Sequence, residues 1–143
     1  GAVLKVVGLN GREYVWNLSK YDVLKNDKRK RSKHHIRARN LLADLYSSYR
    51  ILEEVKLPGS TALHRRSVLY LDFYIPNIRK AFEVHGRQHY EFTPFFHKSK
   101  AEFLRAKARD EDKIEWCVVN NIELTVLKYS DNNDEWTTSI KGF

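Results

Sequence analysis

LYLDFYIPNIRKAFEVH, residues 69–85, is the stretch from which the fold of this chain is predicted. The four odd-numbered positions from 69 to 75 are apolar, which indicates a strand with those four side chains on one face of a sheet and Asp72 on the other. Residues 80–85 form a second short run with the alternation of a strand. The four residues between the runs are enough for a reversal, so we expect two neighbouring antiparallel strands.

Three ionisable side chains of these strands are predicted to meet on one face of the sheet. Glu83 and His85 are two residues apart in the second strand and share a side. Two carboxylates about 4 Å apart repel by roughly 4 kcal/mol at an effective dielectric constant of 20, so a cation would stabilise Asp72 beside Glu83. Oxygen ligands select Mg²⁺, for which Mn²⁺ can substitute. We predict a metal site formed by Asp72, Glu83 and the backbone carbonyl of Val84, with His85 accepting a proton from the attacking water.

Three further residues are candidates for the same site. His89 lies four residues after His85, past a glycine, and is predicted to protonate the leaving group or to hold a phosphate. Glu53 and Glu54 of the preceding strand present one side chain to each face, and we assign Glu54 to the site. Asp110 lies on the stripe of a long helix that should face the sheet, where it either pairs with a basic residue, caps a loop or joins the site.

Two other interpretations of these residues are open. Asp72 and Glu83 could pair with Arg79 or Lys80 on an exposed face, which is the commoner arrangement for two strand carboxylates. The six histidines raise the question of zinc, but Cys117 is the only cysteine and the single His-x-x-x-His pair does not lie on a helix. The sequence therefore disfavours a zinc site.

The charge of the chain indicates a polyanionic partner. Lys and Arg total 26 against 18 Asp and Glu, giving a formal net charge of +8. The basic residues concentrate between positions 20 and 39, which predicts contacts with the phosphates of double-stranded DNA, although such a run can also be a solvated surface. The predicted DNA-binding residues are Lys28, Arg29, Lys30, Arg31, Lys33, His35, Arg37 and, further along, Arg87.

The order of predicted elements places the chain in the α/β class. We divide its 143 residues into a hairpin and basic segment at 1–31 and one catalytic core at 32–143, with helices around a mixed sheet in the order αβββαβ. The chain contains no methionine, so we expect it to be cut from a longer protein. The predicted elements are a hairpin within 3–15 turning at Asn10-Gly11, a helix capped by Ser32, strands at 51–57, 69–75 and 80–85, a helix at about 98–120, a strand at 122–129 and a short helix around Trp136.

Two features bear on where the chain acts. No apolar run approaches the roughly 18 residues of a membrane span, so no membrane partner is expected. With one cysteine, the chain cannot form an internal disulfide. Both features predict an intracellular protein.

The motif resembles that of a known nuclease superfamily. Asp72, followed after ten residues by Glu83-Val84-His85, is similar to the PD-(D/E)xK signature with histidine in place of the usual lysine, and the element order matches the αβββαβ core of that superfamily. LDFYIP at 71–76 and VHGRQH at 84–89 resemble the very-short-patch-repair endonucleases. Within this group the chain resembles the EDxHD class of phage homing endonucleases, over roughly residues 32–129.

The resemblance implies a restriction-endonuclease-like fold and a metal-dependent DNA endonuclease, the catalytic domain of a phage-encoded homing enzyme associated with introns and acting in the cytoplasm of a bacterial host. It implies that Asp72 binds the metal, that His85 is the general base, and that an acidic residue at Glu53 or Glu54 and an aspartate such as Asp110 complete the site.

The chain also departs from the repair enzymes. It lacks their cysteine-rich zinc site, carries Glu83 where they have an apolar residue, and has His35 where they have a helix glutamate. A mismatch-repair or restriction nuclease and a non-catalytic nuclease-like DNA-binding module are the alternatives, and the sequence leaves open whether two copies form a homodimer.

Overall fold

A computed structural model describes residues 3–21 and 31–142 of the chain. An N-terminal β-hairpin precedes a four-stranded mixed sheet, and three helices accompany that sheet. Strand order in the sheet is β3-β4-β5-β6, with the first two pairs antiparallel and the last parallel. The elements are β1 (Val3–Val7), β2 (Glu13–Asn17), α1 (Lys33–Leu45), β3 (Leu52–Leu57), β4 (Leu69–Ile75), β5 (Lys80–His85), α2 (Lys100–Val119), β6 (Glu123–Lys128) and α3 (Asn133–Lys141).

The predicted α/β class and the order αβββαβ are confirmed, with α3 following the last strand. Local signals explain where the helices begin. The Ser32 hydroxyl accepts a hydrogen bond from the His35 N–H at the start of α1, as predicted, and the Ser99 hydroxyl accepts from the Glu102 N–H at the start of α2. The parallel pairing of β5 with β6 follows from the α2 crossover between them.

The sheet separates two hydrophobic cores. On one face α2 and the hairpin pack over β3, β4 and β5, forming what we call the α2 core. On the other face α1 and α3 pack together, forming the α1–α3 core. The α2 core contains Trp16, Val55, Leu71, Tyr74, Trp116 and Cys117 among others, and the α1–α3 core contains Ala38, Leu42, Phe73, Phe82, Trp136 and Ile140.

Strand β4 does not keep one set of side chains on one face. Leu69 and Leu71 belong to the α2 core, whereas Phe73 and Ile75 belong to the α1–α3 core. The prediction that these four residues share a face was therefore wrong. The change occurs at Asp72, and β3 changes face at the same level, at Glu54, which has a φ of 50°. The register of the neighbouring pairs places Glu54 opposite Asp72, and strained backbone of this kind occurs at functional sites.

The N-terminal hairpin shares its core with the sheet. Trp16 of β2 is buried, with its ring centroid 4.9 Å from that of Tyr74 and 5.1 Å from that of Trp116. The hairpin loop spans residues 8–12, longer than the two-residue turn predicted at Asn10-Gly11, and Gly11 supplies the positive φ of 81°. Burial of the Trp16 ring thus joins the hairpin to the four-stranded sheet and α2.

Among the described residues, no helix has the length and apolar character needed to cross a lipid bilayer.

Candidate active site

The site forms where the hydrogen-bonded ladder between β4 and β5 stops. The last registered pairs run from Ile75 opposite Lys80 to Phe73 opposite Phe82, although both strands continue beyond that point. Beyond that point, side-chain carboxylates accept the backbone N–H hydrogen bonds that backbone carbonyls accept in the rest of the ladder. The Asp72 N–H donates to Glu83 Oε2 over 2.7 Å, and the Val84 N–H donates to Asp72 Oδ2 over 2.8 Å. The two acids are therefore held in place by the sheet itself.

Asp72 is held in an environment that opposes its negative charge. Burial, together with the charge of Glu83, raises the pKa of Asp72 to about 8. Among the described residues no side chain donates a hydrogen bond to its second oxygen, Oδ1, which is open to a ligand. A buried carboxylate with an open oxygen beside a second carboxylate fits a hard divalent cation. Val84 reaches Asp72 through its N–H, and ligation by its carbonyl stays a prediction.

Glu83 keeps its charge because a lysine of α2 neutralises it. Burial by itself would raise the pKa of Glu83, but the nearby His85 and the Lys113 ammonium lower it below the usual value. Lys113 Nζ lies 2.8 Å from Glu83 Oε1. Burial opposes the charge of Lys113 as well, yet Glu83 raises its pKa. Without a metal, Glu83 carries the negative charge of the acidic pair and Asp72 holds a proton.

Two histidines and an aspartate lie beside the carboxylates. The rings of His85 and His89 stack with centroids 4.0 Å apart and planes 7° apart. His89 Nδ1 lies 2.9 Å from Asp110 Oδ2 of α2. His85 Nε2 is buried and has no hydrogen-bond partner among the described residues; it lies 3.7 Å from Glu83 Oε1 and 4.0 Å from Asp110 Oδ1. One ligand atom from each of His85, His89 and Asp110 can be chosen so that all lie within 4.8 Å of one another, a spacing that would also suit a transition metal.

The two glutamates of β3 have different partners in the structure. Glu54, the one assigned to the site, lies opposite Asp72 in register, and its charge contributes to the raised pKa of that residue. Arg31 Nη1 lies 3.5 Å from Glu54 Oε1. Glu53 points to the other face, where its Oε1 lies 2.8 Å from His35 Nε2. Catalytic participation of Glu54 stays a prediction.

The structure changes the interpretation of several predicted DNA-binding residues. His35 is buried, stacks on Phe73 and is bound to Glu53, so it is a core residue and its assignment to DNA was wrong. Arg37 packs over the Trp136 ring and donates to the Asp131 carbonyl, which ties α1 to the α3 end of the chain. Lys33 is exposed, Arg31 faces Glu54, and Arg87 pairs with Glu91 in an exposed helical turn; Lys28, Arg29 and Lys30 lie outside the described residues.

Most of the residues predicted from the sequence lie together in the structure, and Lys113, which was not predicted, lies among them. Asp72, Glu83 and His85 converge as predicted, and Asp110 joins them through His89. The alternative that Asp72 and Glu83 pair with Arg79 or Lys80 was wrong. Arg79 donates to the carbonyls of residues 120 and 121, and Lys113 binds Glu83 instead. Lys113 is three residues after Asp110, on the same helix stripe, and that spacing was the available signal.

The chain is similar to proteins of iridoviruses. It is 36% identical over 76 residues to "Uncharacterized protein 307L" of Invertebrate iridescent virus 6, an alignment covering 53% of this chain and 39% of that protein. It is 33% identical over 89 residues to "Uncharacterized protein 094L" of Frog virus 3 (isolate Goorha), covering 59% of this chain and 57% of that protein. No family model matches the chain, and no solved structure matches it.

The matched regions are only part of each relative. The chain spans about two fifths of the first protein's length and less than three fifths of the second's. The names of these relatives specify no activity. Their source viruses are named for invertebrate and frog hosts, so the comparisons give no support to the predicted bacteriophage origin.

Proposed function

We propose that this chain is a metal-dependent endonuclease domain that hydrolyses phosphodiester bonds in DNA. The observation that carries the proposal is the interrupted ladder between β4 and β5, where Asp72 and Glu83 replace backbone hydrogen bonds and leave one carboxylate oxygen open. A fold that only needed a stable sheet would continue the ladder at this point, because burying two neighbouring acids is costly.

The acidic residues would hold the metal. Asp72 and Glu83, with the Val84 carbonyl, would ligate Mg²⁺ or Mn²⁺, and Glu54 would lie close by, held by Arg31. The ion, when bound, polarises a phosphoryl oxygen and lowers the pKa of a coordinated water. Asp72 would lose its proton on binding, since the cation replaces the stabilisation that the proton provides.

The two histidines have surroundings suited to opposite proton transfers. In the described part of the chain no group hydrogen-bonds His85 Nε2, which lies near the carboxylates, so it would take the proton of the attacking water as that water bonds to phosphorus. His89 Nδ1 lies 2.9 Å from Asp110 Oδ2, a contact that orients the imidazole ring. His89 would give its proton to the leaving sugar oxygen as the bond to phosphorus breaks.

Lys113 would contribute positive charge to the transition state. Its ammonium is mostly shielded from solvent and lies 2.8 Å from Glu83 Oε1. An ammonium fixed in a region of low dielectric stabilises the negative charge that develops on the phosphoryl oxygens. The PD-(D/E)xK signature that this chain resembles has a lysine at the position of His85. In this chain Lys113, from α2, would supply the cation instead.

Nicking of supercoiled plasmid DNA tests the proposal. The parent protein should cut with Mg²⁺ or Mn²⁺ and not with EDTA, and Asp72→Ala and His85→Ala should each reduce the rate about 100-fold or more. Lys141→Ala, an exposed change on α3, should cut like the parent. Equal nicking by the parent and the two site variants would contradict the assignment.

One observation favours a second function, a DNA-binding module without turnover. The Lys113 ammonium already neutralises Glu83, so the site can persist without a metal. A protein of that kind would bind DNA with the same affinity in Mg²⁺ and EDTA and would not cut it. Measuring binding and nicking on the same preparation separates the two functions.

The homing role and the biological setting rest on the resemblance. We propose an intracellular enzyme, acting inside the cells of a virus host, and the relatives direct attention to animal hosts. Mapping cut sites on long DNA distinguishes a homing enzyme, which selects a long asymmetric target, from a mismatch-repair nuclease or from a restriction nuclease with a short palindrome.

A further inference from the structure

A groove runs from the candidate site along α2 towards the loop between β3 and β4. One depression of about 260 Å³ beside the site is lined by Tyr70, His89, Arg109 and Asp110. A second depression of about 200 Å³ is lined by His64, Arg65, Arg105 and Arg109. Arg109 lines both depressions, so they adjoin at this residue, and we call the two together the α2 groove.

The outer wall of the α2 groove is fixed in place. Arg65 donates to the Ser60 carbonyl over 2.6 Å and to Asp112 Oδ2 over 3.0 Å, which ties the loop to α2. Backbone hydrogen bonds between Ala62 and Arg65 run in both directions and close the loop into a tight turn. The side chain of Arg65 is largely buried, so its charge serves the loop and is not offered to a ligand.

The uncompensated charge in the α2 groove is positive. Among the described residues, Arg105 and Arg109 form no ion pair, and His64 is exposed at the rim. The acids of the groove already have partners, because Asp110 contacts His89 and Asp112 is bound by Arg65. Two arginines one helical turn apart therefore face the groove without an acidic partner, about 6 Å from each other along the helix axis.

The position of the α2 groove relates it to the bond that is cut. Glu83, His85 and Asp110 meet on the α2 side of the sheet, whereas the exposed Lys33 lies on α1, which packs on the opposite side. Going along α2 from Asp110 towards its N-terminus, Arg109 comes first and Arg105 follows one turn later. DNA bound at the site would carry its phosphates past these arginines.

We propose that the α2 groove binds the phosphodiester backbone of duplex DNA on one side of the cut, with Arg105 and Arg109 each contacting a phosphate. This inference rests on the proposed function and adds the track along which the substrate lies. It adds phosphate contacts on α2 to those predicted from the sequence, none of which lies on that helix. Contacts of this kind position the duplex and carry no base preference.

Fluorescence anisotropy of a labelled duplex, with Ca²⁺ replacing Mg²⁺ to prevent cutting, tests the α2 groove. The logarithm of the association constant K falls as log salt rises, and each lost phosphate contact makes that slope less steep by about 0.9. This change corresponds to about eight-fold weaker binding at 0.1 M salt. Arg105→Ala and Arg109→Ala should each show that loss, and the double variant about sixty-fold. Lys33→Ala, which tests the rival surface on α1, and Lys141→Ala on α3 should bind like the parent.

The outcomes separate the groove from the reaction. Groove variants that bind with the parent's affinity and salt slope overturn the proposal, as does an equal or larger loss in Lys33→Ala. If the parent binds through the two arginines but does not cut in Mg²⁺ or Mn²⁺, the groove is supported and the nuclease proposal fails. Neither arginine has an ion pair with a described residue, so the variants should unfold at the same temperature as the parent. That result would exclude misfolding as the cause of weaker binding.

Discussion

Asp72→Asn is expected to stabilise the metal-free protein at neutral pH and to abolish its stabilisation by metal. The Asp72 carboxyl has a pKa of about 8 in the folded chain, against an ordinary value of 3.8. Its protonated form is therefore favoured by folding. That contribution to stability is fully present below pH 3.8 and is lost as the pH rises to 8. The asparagine side chain does not ionise in this pH range, and its oxygen can still accept a hydrogen bond from the Val84 N–H.

The size of the effect follows from linkage. Between pH 4 and pH 8 the folded parent holds one proton more than the unfolded chain at this position, so its free energy of unfolding falls by about 1.4 kcal/mol per pH unit relative to the variant. From pH 5 to pH 7 the advantage of Asp72→Asn should therefore grow by about 2.7 kcal/mol. Water entering the site would reduce this figure, so it is the largest value we expect.

Urea unfolding in EDTA at pH 5, 6 and 7, followed by tryptophan fluorescence, measures the difference. Asp44→Asn on the outer face of α1 is the matched control, because it makes the same chemical change at an exposed carboxylate away from the site. Adding Mn²⁺ at pH 7 should stabilise the parent and the control but not Asp72→Asn. A pH-independent difference, or equal stabilisation of all three proteins by Mn²⁺, would refute the assignment of Asp72 as a metal ligand that holds a proton when no metal is bound.

Three further outcomes are expected from the geometry. Zn²⁺ should inhibit Mg²⁺-supported nicking by occupying the cluster of two histidines and an aspartate, and His89→Ala should weaken Zn²⁺ binding in calorimetric titration; unchanged Zn²⁺ affinity in that variant would exclude the cluster. Lys113→Gln leaves the buried Glu83 carboxylate without its cation, so the free energy of unfolding in urea and EDTA should fall by about 1–3 kcal/mol. Mn²⁺ should reduce this loss, and a loss that Mn²⁺ does not change would separate the lysine from the metal site. Trp16→Ala should lower the free energy of unfolding by about 3–5 kcal/mol because the ring is buried in the α2 core, whereas Val15→Ala on the exposed side of the same strand should cost far less; similar losses would mean that the hairpin is not part of the core.

Some of the site could be predicted because its signal lies within one strand. Glu83 and His85 share a face because they are two residues apart, and the alternation of β5 is regular in the structure. The same reasoning failed for β4, where the faces exchange at Asp72. That change depends on the pairing of Asp72 with Glu54 of β3, and the residue spacing within β4 gives no information about that pairing.

The sequence alone determined four features of this protein: the element order, the start of α1 at Ser32, the excess positive charge, and the placing of two acids and a histidine on adjacent strands. It could do so because periodicity, capping and charge are local properties of the chain. Only the tertiary structure decided that Lys113 neutralises Glu83, that His35 is buried, and that Arg105 and Arg109 of α2, which have no ion pair among the described residues, lie on the same side of the sheet as the site. Those relationships depend on how α2 and α1 dock on the sheet, and docking is set by side chains far apart in the chain whose packing no local pattern specifies.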